Sequence, residues 1–493
     1  MRNGTLLAAV DLGSNSYRLE IGRHEHGQIQ RVEYLKETVR QGAGLDEARN
    51  LTPDAMQRGL ECLARFGERL AGFPRRHVRA VATQTLREAR NRDEFLAQAH
   101  AVLGFPIEVI SGREEARLIY QGVAHLLPQS DERRLVIDIG GRSTELILGH
   151  RFEARAMESY RVGSVAWSMR YFPQGEFTRT AFERAEVAAQ AVLDEAAGRY
   201  GRTAWDVAYG ASGTIGAVAD VLAGAGQGPG ITAQGLDWLL DELLAARHAD
   251  RVKLAGLKDD RRPVIGGGLS VLRAVFGLLG IEAMEPAAGA LRHGVLYDLL
   301  DREQVDTDVR ATTVQRLAAK FDVDPAQARR VGAVAMHFLR QLRAGRDPEA
   351  LAREERKLAW AAQLHEIGSL ISHADYHKHG AYILENADAP GFAQHELHRL
   401  GVLVLGHRGK LRKLEADLGD ELLVHQLLAL RLAVVLCHAR RDPDLQGLRL
   451  APAPDGFRLT VPAEWVRAFP QSAHLLREEA VAWQKTRWTL TLE

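Results

Sequence analysis

The sequence predicts an α/β fold of two duplicated lobes, followed by an all-helical region and a small α/β C-terminal piece. Three observations carry that prediction. One pattern occurs twice, strands and helices alternate through the first 300 residues, and strand signals nearly vanish from about residue 304 until the tail.

The repeat comes first. Segment 9–22 reads A-V-D-L-G-S-N-S-Y-R-L-E-I-G and segment 136–149 reads V-I-D-I-G-G-R-S-T-E-L-I-L-G. At an offset of 127 residues Asp11 falls on Asp138, Gly13 on Gly140, Ser16 on Ser143, Leu19 on Leu146 and Gly22 on Gly149. Each copy is a β-like run ending in Asp, a Gly/Ser turn and a second β-like run, which describes a hairpin with an acid at its tip.

The elements follow in order. A helix starts after Thr52-Pro53, the Thr as N-cap and the Pro in the first turn, with Leu60, Leu63 and Leu70 on its apolar face. A strand at 78–82, a helix near 91–103, a strand at 107–110 and a helix opening at Ser111 complete the first lobe. The second lobe repeats the rhythm, with strands near 135–139, 145–149 and 206–209 and helices near 178–199, 213–223 and 233–246. Stretches 326–343, 349–369, 394–405 and 420–439 have helical spacing. The tail carries strands at 448–450, 457–461 and 488–492, the first two joined by the turn Pro454-Asp455-Gly456. The expected domains are 1–121, 122–303, 304–441 and 442–493.

Composition narrows the class of function. A chain of 493 residues, 46% hydrophobic and 26% charged, has material for several cores and is neither disordered nor fibrous. Basic and acidic residues number 64 each, so no global field holds nucleic acid or an anionic membrane. Only nine of the 64 basic residues are Lys; the other 55 are Arg, the side chain suited to bidentate phosphate contacts, although a GC-rich genome explains the same bias. Two cysteines, Cys62 and Cys437, make neither a disulfide framework nor a zinc site. With no signal segment, and with the apolar run 422–437 interrupted by His425, Gln426 and Arg431, a cytoplasmic protein without stable membrane insertion is expected.

Gly/Ser turns suit phosphate because they offer consecutive backbone N–H groups and allow close approach. An Asp heading such a loop repels phosphate and is read as a magnesium ligand, which makes Asp11 and Asp138 metal candidates. For a single D-x-G-x-x-S the simpler reading is an Asp that caps its turn; two copies on a duplicated unit favour the metal. A third loop, Gly210-Ala211-Ser212-Gly213-Thr214, runs from a strand into a helix N-terminus, a ready anion site. Glu114 and Glu115 begin the helix after Ser111, where the helix dipole alone accounts for acids; alternatively, one of them faces the cleft and takes a proton from water. Arg87 and Arg90 follow a strand end and are either phosphate clamps or surface ion pairs.

Together D-L-G-S-N-S at 11–16, T-L-R at 85–87, I-S-G-R-E-E-A-R-L-I-Y at 110–120, D-I-G-G-R-S-T-E at 138–145, G-A-S-G-T at 210–214 and G-A-L-R-H-G-V-L-Y at 289–297 resemble the exopolyphosphatase and guanosine pentaphosphate phosphatase family. That family lies within the superfamily of acetate and sugar kinases, actin and chaperone ATPases, so the resemblance implies actin-like lobes. It implies Glu115 as general base, Asp138 and Glu145 as the residues that place Mg2+, and Arg87 as a clamp. It further implies phosphate contacts from Gly13, Ser14, Asn15 and Ser16, from Gly140, Gly141, Arg142, Ser143 and Thr144, and from Gly210, Ser212, Gly213 and Thr214. Two departures stand out. Arg142 replaces a third glycine and either clamps or obstructs phosphate, and Tyr17-Arg18 replaces Phe-His, with little consequence expected.

The helical region resembles the family's version of the fold named for a His-Asp pair, here His365-Glu366. Seven histidines fall between 365 and 407, namely His365, His373, His377, His379, His395, His398 and His407, but His377 and His379 do not share a helical face. A degenerate, structural or substrate-channel role is preferred there over a working metal centre. The basic run His407–Lys413 either draws polyphosphate or is a solvated surface. The expectation is therefore an Mg2+-assisted exopolyphosphatase, homodimeric as the resemblance implies, acting on inorganic polyphosphate. The alternative is guanosine pentaphosphate (pppGpp) hydrolysis at the same site. A kinase or ATPase, for which Val264-Ile265-Gly266-Gly267-Gly268 would have to form an adenosine pocket, and a phosphate-sensing module rank lower.

Overall fold

The computed structural model describes residues 1–228, 230–302 and 307–493, which form two compact units, Met1–Asp308 and Val309–Glu493. The expected boundary at 303/304 lies outside the described residues.

Unit 1 holds two sheets of matching topology. The first runs β3-β2-β1-β4-β5, with β1 Leu6–Leu12, β2 Ser16–Glu25, β3 Gln28–Thr38, β4 Val78–Ala82 and β5 Ile107–Val109. The second comprises β6 Arg133–Ile139, β7 Thr144–His150, β8 Glu153–Tyr160, β9 Val207–Ala211, β10 Ile231–Thr232 and β11 Ala283–Pro286. Its order, β10-β11-β9-β6-β7-β8, contains the same succession of an antiparallel meander and two parallel neighbours. The duplication extends to irregularities: the β2–β3 register shifts at Gly22 and the β7–β8 register at Gly149, the positions the offset pairs.

Strand alternation sorts these residues. In β1, Ala8, Val10 and Leu12 enter the outer core of the first lobe, while Leu7 and Ala9 enter a central core. In the second sheet, Leu135, Ile137, Ile139 and Leu146 enter the outer core of the second lobe and Val136 and Ile147 the central one. The central core also contains residues of the helices Gly112–Leu126 and Leu291–Arg302. Asp11, Asp138 and Glu145 continue the central face of their strands, so period two alone turns all three acids inward.

The two central helices meet backbone to backbone. A β-carbon on Gly294 would overlap the Leu118 carbonyl, and one on Gly122 the Ala290 carbonyl. Beneath them lies a buried charge cluster. Arg79 donates to Asp298 (2.6 Å) and Glu108 (2.9 Å), Arg117 to Glu114 (2.8 and 2.9 Å) and to Asp298, and Arg302 to Asp298 (2.6 Å). The segment 264–268 opens the helix Ile265–Leu279, where Gly267 allows contact with Ser164 and Ser168; this is helix packing. Residues Arg262–Leu279 are long and apolar enough to cross a membrane, but most are buried and contribute to the second lobe's core.

Unit 2 is helical, as its periodicity predicts: Val309–Lys320, Pro325–Leu342, Pro348–Leu364, Tyr376–Asn386, Gln394–Gly406 and Glu421–Leu436. Asp324, Asp347 and Asp420 cap three of these helices by accepting from backbone N–H groups, and Pro follows the first two caps in the first turn. The tail adds β12 Arg449–Ala453, β13 Gly456–Thr460, two helices and β14 Thr489–Leu492, in the order β12-β13-β14. Leu450, Phe457, Leu459, Trp483 and Leu490 belong to the same core as the helices, so the tail has no separate interior.

Candidate active site

The hairpin turns, the third Gly/Ser loop and the start of the helix Gly112–Leu126 surround one cleft of about 370 Å³ in unit 1. Asp11, Gly13, Ser14, Asn15, Ser16, Glu115, Asp138, Gly140, Gly141, Ser143, Ser212, Gly213 and Thr214 all line it. Arg87, Arg142, Thr144, Glu145 and Gly210 are not among the lining residues.

Local chemistry explains the loop shapes. Gly140 N donates to the Ser143 carbonyl (2.9 Å), closing the second turn, and Thr85 donates to Ser14 Oγ (2.8 Å), bracing the first. Ser212 sits at φ +89°, a strained conformation for a residue with a side chain, and such outliers gather at functional sites. A β-carbon on Gly213 would overlap the Arg261 guanidinium, so glycine here lets that cation reach the loop.

The adjacent acids of the helix diverge. The Ser111 side chain caps the helix by accepting from Glu114 N (3.1 Å), and the Glu114 carboxylate is locked to Arg117 inside the charge cluster. Glu115 enters the cleft and accepts from Arg87 Nη1 (2.8 Å). Burial pushes the Glu115 carboxyl up, Arg87 opposes that push, and the Asp11 charge adds to it. Arg87 thus touches the candidate base and also donates to the Ile110 carbonyl (3.0 Å).

The repeated hairpins differ at one register position. Asp11 pairs across β1–β2 with Arg18, whose guanidinium is 3.1 Å from its carboxylate. Asp138 pairs across β6–β7 with a second acid, Glu145. Burial and then the charge of Glu115 push Asp138 up to about 7, against the pull of Arg18. Glu145 is fully buried and is also pushed up, first by burial and then by Glu115 and Asp138; one of its oxygens accepts from Ser159 (2.7 Å) and the other has no hydrogen-bond partner. A buried carboxylate pair with an unused oxygen fits a divalent cation. Among the described residues no group of three or more His, Cys, Asp or Glu forms a ready metal cage. Magnesium suits such a partial set, since it retains waters and takes phosphate oxygens.

The departures read differently in three dimensions. Arg18, expected to matter little, neutralises Asp11 and lines the cleft. Arg142 neither clamps nor obstructs the cleft: its guanidinium donates to Glu88 (3.1 and 2.8 Å) and to the Gly42 carbonyl (2.9 Å) in the first lobe. The sequence reading also missed a cationic wall of Lys36, Lys258, Arg261 and Arg292. Arg292 lies inside the quoted G-A-L-R-H-G-V-L-Y and pairs with Glu20; the others belong to no local motif.

In unit 2, His365, His377 and His407 are buried, with ring centroids 5.4 Å (His365–His407) and 6.3 Å (His377–His407) apart. His365 Nδ1 and His407 Nδ1 bond to the carbonyls of Ala362 (2.7 Å) and Val404 (2.6 Å), and Glu366 accepts from Arg440 (2.7 Å). The altered pair thus has one His365 ring nitrogen held by backbone and the Glu366 carboxylate held by Arg440.

Known proteins share this architecture. The family profile described as the Ppx/GppA phosphatase family matches residues 20–303, and that described as Ppx/GppA phosphatase, domain III, matches residues 309–480. A guanosine-5'-triphosphate,3'-diphosphate pyrophosphatase of Vibrio cholerae is 40% identical over 494 residues, covering 99% of this chain and 98% of that protein. One of the same name from Pseudoalteromonas translucida is 39% identical, covering 98% and 97%. In fold, the crystal structure of an exopolyphosphatase from Cytophaga hutchinsonii matches 60% of this chain and 98% of its own with a TM-score of 0.54, at 23% identity. With both profiles in place and relatives alike over the full length, the chain is a phosphoric anhydride hydrolase that belongs to the Ppx/GppA phosphatase family.

Proposed function

We propose that this cleft hydrolyses the terminal phosphoric anhydride of guanosine 5'-triphosphate 3'-diphosphate, releasing inorganic phosphate and guanosine 5'-diphosphate 3'-diphosphate. The observation that carries this reading is the close likeness, over practically the whole chain, to proteins named for that substrate. It replaces the expected preference for polyphosphate, which rested on overall similarity in the first 300 residues.

The chemistry follows from the residues. Glu115 is aimed by Arg87, and its raised affinity for protons makes it a better base near neutral pH than an exposed carboxylate. Water attacks the terminal phosphorus while the bond from that phosphorus to the bridging oxygen breaks, and the water's proton passes to Glu115. The leaving group departs with the electron pair of the broken bond. Asp138 and Glu145 would hold magnesium, which when bound neutralises charge on the anhydride oxygens. Arg18, Lys36, Lys258, Arg261 and Arg292 line the cleft as the cations that meet the phosphates.

The test measures phosphate release from guanosine pentaphosphate, long-chain polyphosphate and ATP, with and without magnesium. Magnesium-dependent release from the guanosine nucleotide is expected, and release from polyphosphate alone overturns the assignment. Glu115→Gln should keep the fold and substrate binding while lowering turnover by about 10²–10⁴-fold. Near-normal turnover in that variant removes Glu115 as the base.

A further inference from the structure

We infer that Gln84, Glu88 and Arg142 are positioning residues that couple the second phosphate-facing loop to Glu115. The inference rests on the reading of Glu115 as the base. None of the three residues lines the cleft, yet an unbroken series of hydrogen bonds joins that loop to the carboxylate.

The series begins at Arg142, between the cleft-lining residues Gly141 and Ser143. Its Nε and Nη2 donate to Glu88 Oε2 (3.1 and 2.8 Å). Glu88 Oε1 accepts from Gln84 Nε2 (2.6 Å). Gln84 Oε1 in turn accepts from both Nε and Nη2 of Arg87 (3.0 and 2.7 Å), leaving Nη1 to donate to Glu115 (2.8 Å). Only one polarity satisfies every member. Turning the Gln84 amide over would set its NH2 against Arg87, which has only donors, and its oxygen against the Glu88 carboxylate, which has only acceptors. The amide therefore grips the Arg87 guanidinium in a single orientation, and that orientation aims Nη1 at the base.

The local sequence builds this junction economically. Gln84 and Glu88 are four residues apart on the short helix Gln84–Glu88 and share a side, with Arg87 three residues from Gln84. On the same helix Thr85 donates to Ser14 of the first loop. One helix thus contacts the first loop directly, the second loop through Arg142, and the base through Arg87. Arg161 adds charge near Glu88, and Arg87, Asp11, Asp138 and Glu145 are the charged groups coupled to Glu115.

The experiment is steady-state kinetics on the full chain with guanosine pentaphosphate and magnesium, for Gln84→Met, Glu88→Ala, Arg142→Met and their pairs. Gln84→Met and Glu88→Ala should lower kcat about tenfold with KM changed by no more than about twofold, because misplacement of a reacting group is paid in turnover. The double variant Glu88→Ala/Arg142→Met should fall no further than its worse single, since both break one series. Glu88→Gln, which keeps an acceptor for Gln84, should retain more turnover than Glu88→Ala, and Arg142→Lys more than Arg142→Met. Losses that multiply in the doubles, losses confined to KM, or a lowered Tm with unchanged kcat would each overturn the relay. Glu115→Gln separates the two ideas: if it is inactive while Gln84→Met and Glu88→Ala turn over normally, the relay alone fails. If it stays active, the base assignment fails.

Discussion

Glu114 and Glu115 show how finely position sorts chemistry at the scale of the residue. One extra step around the helix moves a carboxylate from a buried structural cluster into the cleft, and a helix-dipole argument treats the two alike. Only the family resemblance pointed to Glu115; local spacing could not, because what separates the two is Arg117 one turn on and Asp298 far along the chain. Within that cluster Asp301 carries a cost. Burial and then the Asp298 charge push its carboxyl from 3.8 up to about 6. Between those values the folded chain holds a proton that the unfolded chain does not, so stability falls as pH rises through the window. Asp301→Asn keeps an acceptor for Gln121 Nε2 (2.8 Å) and removes the like charge. It should stabilise the protein by about 1 kcal/mol at pH 8 and have little effect at pH 4, as read by urea unfolding at both values.

At the scale of the element, the hairpins were legible because period-two alternation, a terminal Asp and Gly/Ser turns are all local signals, and the structure returns both with matching register shifts. The cationic wall was not legible, since Lys36, Lys258, Arg261 and Arg292 come from well-separated segments that only the tertiary fold assembles. The motif at 289–297 lies between these extremes. Its glycines allow the helix Leu291–Arg302 to touch the helix Gly112–Leu126 along their backbones, and its arginine enters the cleft. Gly294→Ala would drive a methyl group into the Leu118 carbonyl, and backbone cannot yield as a side-chain tip can. A loss of about 3 kcal/mol in urea unfolding is expected, with activity falling too because the shifted helix carries Arg292. Gly332→Ala is the control, as its β-carbon would meet only the Ala362 methyl at ordinary contact distance (3.8 Å).

For the whole molecule, each unit owns its interior: the core of unit 2 draws only on residues from 314 onward, and the remaining three clusters only on residues up to 299. The cleft belongs to unit 1, and magnesium should act there as a folding ligand as well as a chemical one. Added magnesium should raise Tm more at pH 8 than at pH 6, because below about 7 Asp138 carries a proton that competes with the ion. Asp138→Asn should lose most of that shift; a shift independent of both pH and Asp138 would place the ion elsewhere.

One cross-strand position, Arg18 in the first hairpin and Glu145 in the second, has a consequence for direction. Two copies of one hairpin facing each other would make a symmetric slot that a phosphate chain could enter either way round. Instead Arg18 offsets Asp11 on the first hairpin while Asp138 stands opposite a second acid on the other, so the two sides of the slot are electrostatically unlike. A doubled unit thereby loses the symmetry of its repeat, and a phosphate chain entering one way round meets different charges from one entering the other way round.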